Sequence, residues 1–417
     1  MKKHVTLLAG LCGLLFASTV TPLWADQDIP LGPRKRVESL FSYPNNCNNI
    51  CYIDETLETT VTKYLTQSLQ RDGFSNTQVT VSSSQECSNA DHDVLMAHYS
   101  GDPLPAGYAP VLQSFFFDGD KAYEASSRLL ADKKWAYNWR FFLPVGLAMY
   151  NQKSVQLLHF PPDYSLEQVQ DYLNSKTSKR WEDLLVQNGV KADDVALYEA
   201  IIDIAPIAAP ADAGSALAGT YGYYKDYVNA MLPLRLLKGK TPTAPRPMVA
   251  YGAPVRDWLK SYYKLSLNVL GTGLITLPDS GAKVPVLGAN HPSYIWYAVQ
   301  SAKDPYKTGV SVMKQDLASA CWQAKMGNDP TLDPATTVNQ CVATWNQPDK
   351  QYQVCMLVET QALGKSEEEA KKFCQNPPPS KPAPATATAA PEPPESDDKA
   401  PWDKFGHFEH LAPHQAH

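Results

Sequence analysis

The chain has 417 residues, 44% hydrophobic and 19% charged, with a formal net charge of -6 at pH 7. That length allows two or three domains and a sizeable buried core, which excludes a small scaffold held by disulfides alone, and the composition excludes both a fully disordered chain and a multi-span membrane protein. The acidic balance argues against broad, charge-driven binding to nucleic acid or anionic lipid.

Residues 1–25 read as a signal peptide. Lys2 and Lys3 precede an apolar run from Val5 to Val20, and Pro22 leads into Leu23-Trp24-Ala25 and the acidic start Asp26-Gln27-Asp28, which predicts a cut after Ala25. The run is shorter than the ~20 apolar residues a membrane helix needs. The predicted localisation is periplasmic or secreted. Lys2 and Lys3 carry the segment's only formal charges, so cleavage takes the chain from -6 to -8.

Seven cysteines follow Cys12: Cys47, Cys51 and Cys87 near the N-terminus, then Cys321, Cys341, Cys355 and Cys374. In an exported chain all seven are disulfide candidates. The C-terminal four can pair in three ways, and the N-terminal trio leaves one thiol over unless pairing crosses between clusters. Spacings of 20, 14 and 19 residues without an intervening His lack the paired Cys-x-x-Cys of a zinc site, so no metal is predicted.

Residues 26–92 read as an N-terminal arm followed by a helix and a strand. Asp54 stands as N-cap for a helix with Leu57, Val61, Tyr64, Leu65 and Leu69 on one face, Gly73 ends it, and Val79 and Val81 alternate as a strand does. Residues 93–303 read as an α/β core. Asp93 to Tyr99 is its first strand, and residues 110–163, rich in aromatics, form an insertion. Ser165 and Gln168 make a capping box ahead of a helical face that reaches Trp181, Leu184 and Leu185. Residues 200–209, 247–251 and 284–288 are buried-strand candidates, with helical stretches at 211–237 and 255–263 between them. Strands alternating with helices in this way predict a three-layer parallel or mixed sheet flanked by helices. Residues 304–376 form a helical cap with one cysteine in each helical segment. Residues 377–417 hold ten prolines and read as a disordered tail. Its end carries Trp402, Phe405, Phe408 and Leu411 at spacing three, a segment suited to docking a protein partner.

The stretch Val284 to Tyr297 is the most informative for chemistry. A hydrophobic strand runs into Asn290-His291-Pro292-Ser293, so His291 stands at a strand's C-terminal edge, where α/β sheets bind ligands, and Ser293 is placed to cap the next helix. Arg235, Lys238, Lys240 and Arg246 put four positive charges in twelve residues with no acid between them, candidates for phosphate contacts. No Gly-x-Ser-x-Gly, Walker, dinucleotide or His-Glu-x-x-His motif occurs, and no cofactor is predicted.

The order of these motifs resembles the uracil-DNA glycosylase superfamily. The residues that carry the resemblance are Asp93 to Tyr99 with Ser100-Gly101-Asp102-Pro103, then Ile201 to Pro206, Pro247 to Gly252, and Val284 to Ser293 with its His-Pro-Ser. The resemblance implies a nucleobase or nucleotide ligand and cleavage of an N-glycosidic bond. Asp102 would position the attacking water, and His291 would stabilise charge on the departing base. Tyr108 or Phe115 would stack on a flipped base, with Asp203, Asn290 and Ser293 lining the ligand site. Asp203 stands where the family carries a base-reading Asn, and Tyr294-Ile295 replaces the usual small intercalating loop.

Overall fold

The computed structural model describes residues 27–34, 56–84, 94–104, 108–109, 150–160, 176–198, 200–205, 221–236, 245–278 and 280–375. The signal segment, Asp54, Cys47, Cys51, Cys87, Phe115, the Ser165–Gln168 box, Lys238, Lys240 and the tail with Trp402, Phe405, Phe408 and Leu411 lie outside the described residues.

The N-terminal unit is an antiparallel sheet of β1 (Gln27–Pro33), β2 (Gln78–Ser84) and β3 (Val94–Ser100) in the order β1-β3-β2. Residues 27–33 were expected in an arm and are a strand instead, because Ile29 and Leu31 bury alternate side chains beside β3. In β3, Leu95, Ala97 and Tyr99 are likewise buried. Helix α1 (Leu57–Arg71) buries Leu57, Val61, Leu65 and Leu69 in the same core. Thr56 caps it by accepting from the Thr59 N–H at 3.3 Å. On the polar side His98 lies between Asp28 and Ser82, 2.7 Å from each, tying the three strands together.

β3 therefore does not lead the core sheet, as the sequence reading had it. The strand that does is β4 (Val155–Leu158), inside the stretch expected to be an insertion. It lies in a five-stranded sheet with β5 (Ala200–Asp203), β6 (Met248–Tyr251), β7 (Thr272–Thr276) and β8 (Lys283–Ala289), ordered β5-β4-β6-β8-β7. All pairings are parallel except that of β7 with β8. Every residue of β4, β5 and β6 is buried, as a sheet covered on both faces requires.

Helix α2 (Lys176–Gln187) connects β4 to β5, α3 (Tyr221–Leu236) connects β5 to β6, and α4 (Ala253–Tyr263) leads from β6 towards β7. The two last pack together, with the Tyr263 hydroxyl donating to Asn229 Oδ1 at 2.6 Å. Gly288 lets α4 sit close to its face of the sheet: a Cβ there would fall 2.4 Å from the Asn268 carbonyl oxygen and 3.1 Å from Arg256 Cδ. The other face meets α2 and α6 (Pro305–Asn328), where Trp181 Nε1 donates to the Tyr251 hydroxyl at 2.9 Å and that hydroxyl bonds Gln323 at 3.2 Å. The N-terminal unit is attached through Asp72, whose carboxylate accepts the N–H groups of Tyr150 and Asn151 just before β4.

Helices α5 (Tyr294–Ser301), α6, α7 (Pro334–Trp345), α8 (Gln351–Leu357) and α9 (Glu367–Gln375) form the C-terminal cap. Of the three pairings open to its cysteines, the one formed joins Cys321 to Cys341 and Cys355 to Cys374, linking α6 to α7 and α8 to α9. Ser366 and Glu369 make a reciprocal capping box at the start of α9. No helix among the described residues is long and apolar enough to cross a membrane. The bridges accord with an oxidising compartment. Each closes a loop of about twenty residues, so replacing Cys321 and Cys341 by serine is expected to lower stability by about 3 kcal/mol, read as a shift in the urea midpoint.

Candidate functional site

In the parallel sheet, β4 and β6 are neighbours whose following chains diverge. From β4 the chain passes through α2 to β5 on one side, and from β6 it passes through α4 towards β7 and β8 on the other. A crevice opens where two such connections part, and helix N-termini and free N–H groups gather there. His159 follows β4 directly and His291 stands two residues past the end of β8. Between them Gly252 ends β6 with φ +86°, a conformation that suits only glycine, and a Cβ on it would lie 3.7 Å from the His291 Cβ.

His291 is close enough to disfavour charge on the His159 imidazole. His159 is held down to about pKa 3, chiefly because burial strips water from the ring and secondarily because of His291. His291 is held down to about 4, first by desolvation and then by the Arg180 guanidinium. Both rings are only partly buried, so each keeps an accessible surface while remaining neutral at pH 7. His159 Nε2 is hydrogen-bonded to the Tyr221 hydroxyl at 2.7 Å.

The tautomer of His291 follows from its neighbours. Its Nδ1 is 3.3 Å from the Ser293 backbone N–H, which can only donate, and 2.6 Å from the Ser293 hydroxyl. Nδ1 is therefore the acceptor, and the ring proton sits on Nε2. This also explains why Ser293, although at the N-cap of α5, makes no side-chain cap bond there: its hydroxyl is engaged by His291.

Arg180 fixes the turn that carries this histidine. Its Nη1 donates to the Pro292 carbonyl at 2.7 Å, and its Nη2 pairs with Asp316 Oδ2 at 2.7 Å, the two side chains being 2% and 4% exposed. Asn290 Nδ2 reaches Asp316 Oδ1 at 3.1 Å and Gln315 at 3.0 Å, so it orients the acid rather than facing outward. Arg256, behind the turn, donates to the Ala289 carbonyl at 2.9 Å. Neither arginine was picked out from sequence, and nor was His159. The available signal for the ion pair was a charge on an otherwise apolar stripe: Arg180 beside Trp181, Leu184 and Leu185, and Asp316 beside Val312, Met313 and Leu317. The signal for His159 was the run Val155-Gln156-Leu157-Leu158, broken by a Gln whose amide donates to the Tyr198 carbonyl inside the core.

Asp203 lies at the C-terminal end of β5, 5% exposed, with burial pushing its carboxyl up to about pKa 8. Four other predicted residues are placed elsewhere or otherwise engaged. Asp102 follows a strand of the antiparallel sheet, is exposed, and has its carbonyl bonded by Thr77, so it is not brought to the edge that holds His291. Tyr108 is fully buried against Phe74, Tyr99 and Tyr150 and offers no ring face for stacking. Arg246, expected to contact phosphate, is instead 8% exposed and ties its guanidinium to the Tyr150 carbonyl. Arg235 lies on α3, and its side chain is outside what the structure describes. No group of three or more metal-ligating side chains occurs among the described residues.

The chain matches no protein-family model, and neither a curated protein nor a solved structure is detectably similar to it.

Proposed function

We propose that the protein, exported by its N-terminal segment to the periplasm or beyond, binds a nucleobase or nucleotide at the C-terminal edge of the parallel sheet and cleaves an N-glycosidic bond there. The observation that carries this reading is His291: a neutral imidazole, locked as the Nε2–H tautomer, at the C-terminal edge of the parallel sheet beside Gly252. Cleaving an N-glycosidic bond leaves negative charge on the departing base. A neutral, partly desolvated N–H donor stabilises that charge as it develops, and it needs no proton transfer to do so. Three of the four motifs behind the glycosylase resemblance also reach this one edge: Asp203 at the end of β5, Gly252 after β6 and His-Pro-Ser after β8.

The water-positioning part assigned to Asp102 has no support at this edge, where burial holds the Asp203 carboxyl protonated and two further carboxylates are engaged. Asp316 is paired with Arg180, and Asp183 accepts from Gln361. The site's supported contribution is therefore leaving-group stabilisation. Release of uracil from single-stranded DNA is expected from the exported protein, and His291→Ala is expected to slow it about 100-fold or more, the usual cost of removing one such donor. Equal, background-level release by both proteins would overturn the hydrolytic reading.

A further inference from the structure

The three strands of the N-terminal sheet each give one side chain to a single line of hydrogen bonds on the wet face: Asp28 from β1, His98 from β3 and Ser82 from β2. The atoms joined are specific. His98 Nδ1 lies 2.7 Å from Asp28 Oδ1, and His98 Nε2 lies 2.7 Å from the Ser82 hydroxyl. A carboxylate only accepts, so Nδ1 carries the ring proton, and Nε2 of the neutral imidazole accepts from the hydroxyl. This is the order in which a serine nucleophile, its base and the acid that orients the base are joined. Backbone pairing already sets the register of all three strands, so the register does not depend on these side chains.

The surroundings of Ser82 suit an acyl group. Pro30, Met96 and Ser82 form one row across the sheet, next to the row of Asp28, His98 and Thr80. Pro30 and Met96 are half-buried and Ser82 is exposed, which sets an apolar step beside the hydroxyl. Neighbouring strands lie about 5 Å apart, so the step matches an acyl chain of a few carbons. On the outer side of β2 the Val81 N–H turns away from β3 to the Thr62 hydroxyl at 3.1 Å. Alternation along the strand turns the Ser83 N–H the same way. An amide directly after the nucleophile is a usual donor to the oxyanion of acyl transfer. The Ser83 hydroxyl accepts from Arg34 at 2.8 Å, so Ser82 alone of the two serines is aimed at a base.

We propose that Ser82, His98 and Asp28 form a second site, on a different sheet from His159 and His291, that hydrolyses activated carboxylic esters of short acyl chains. Ser82 Oγ attacks the carbonyl carbon while His98 Nε2 takes the hydroxyl proton, and the C=O electron pair moves onto oxygen beside the Ser83 N–H. Collapse of this intermediate breaks the bond to the alcohol oxygen, which receives the proton from His98, and Ser82 is left acylated. Water then attacks the acyl carbon, again losing its proton to His98. The carboxylic acid departs as Ser82 recovers its hydrogen. Asp28 is a positioning residue that holds the imidazole in the accepting tautomer. The His98 and Asp28 side chains are 39% and 60% exposed, and charges facing water stabilise one another weakly. That exposure limits the site to esters with a good leaving group.

The test mixes the full exported chain with p-nitrophenyl acetate, follows release of p-nitrophenol, and locates the acetyl group by peptide mass spectrometry after an acid quench. Acetyl is expected on Ser82, with Ser83 unmodified as the internal control, and release is expected to drop to background in Ser82→Ala. His98→Gln, which keeps a polar side chain but no base, is expected to slow acylation about 100-fold or more. Asp28→Asn is expected to slow it about 100-fold because the amide can hold the wrong tautomer, and Asp28→Glu, which restores a carboxylate, to stay within about tenfold of wild type. Hydrogen bonds that serve only to hold the strands predict the same rate from Asn and Glu, and that result overturns the proposal. So does an unchanged rate in His98→Gln. The wild-type chain decides by itself where a variant fails to fold: acetyl shared equally between Ser82 and Ser83, or absent from Ser82 with release no faster than from the urea-unfolded chain, overturns the proposal.

Discussion

Arg180→Met is expected to destabilise the protein by about 3–5 kcal/mol, the range for removing one partner of a buried ion pair. The replacement is apolar and of similar volume, so the loss is electrostatic rather than a cavity. Asp316 would keep only the Asn290 amide, and desolvation, which already raises its pKa, would act with no cation to oppose it. The Pro292 carbonyl would lose its donor at the same time. Pairing Arg180→Met with Asp316→Leu should recover much of the loss, because the pair's own desolvation cost also disappears. Chemical denaturation of the two singles and the double measures this. A single variant within about 1 kcal/mol of wild type would show that the pair is not structurally required. Arg180→Lys should fail to rescue, since one ammonium cannot reproduce two divergent contacts from a planar guanidinium. Removing the Arg180 charge should also let the His291 pKa rise from about 4 towards its ordinary value, a shift measurable by NMR.

Stability is expected to peak near pH 6.5 and to fall on both sides. His159 and His291 have folded pKa values of about 3 and about 4, below the 6.5 of the unfolded chain. As pH falls from 6.5 towards 4 the unfolded state takes up two protons that the folded state refuses, and stability is lost. Asp203 acts in the opposite sense. Its folded pKa of about 8 lies above the ordinary 3.8, so the folded state holds a proton that the unfolded state releases, and stability is lost as pH rises from 3.8 to 8. Between pH 4 and 6.5 the histidines outweigh the acid by one proton, giving a rise of at most about 1.4 kcal/mol per pH unit. Both rings keep some water contact, and Asp316 is also raised and adds to the Asp203 side, so the net slope falls below that limit. Between 6.5 and 8 the histidines no longer contribute and the slope reverses, with Asp203 supplying about -1.4 kcal/mol per unit. Urea midpoints from pH 4 to 9 test this, with Asp203→Asn expected to flatten the alkaline limb alone. An unchanged alkaline limb in that variant would remove Asp203 from the account.

The buried strands of the core were legible because fully enclosed strands read as unbroken apolar runs, as Met248 to Tyr251 and Val284 to Ala289 do. His291 was legible for the same reason, since a histidine closing such a run stands at an edge. Asp93 to Tyr99 misled because it looks continuous by composition. In the structure it alternates, with Met96 and His98 partly exposed and Leu95 and Ala97 buried, the mark of a sheet with one wet face. The first core strand was hidden by its four-residue length and by Gln156, which satisfies its amide on the Tyr198 carbonyl. Arg246 misled in a different way. Basic residues clustered in sequence suggest a solvated patch, but nothing local announces the Tyr150 carbonyl, which comes from nearly a hundred residues earlier.

The strand order has a further consequence for the chain as it emerges. The N-terminal sheet has all three strands by Ser100, whereas β4, in place by Leu158, must wait for Met248 before its second neighbour exists, and β6 must wait for Lys283. A core whose central strands lack partners for so long cannot close early. Late-arriving contacts of this kind slow folding. Here that delay keeps the larger half of the protein pliable until its last core strand has been delivered.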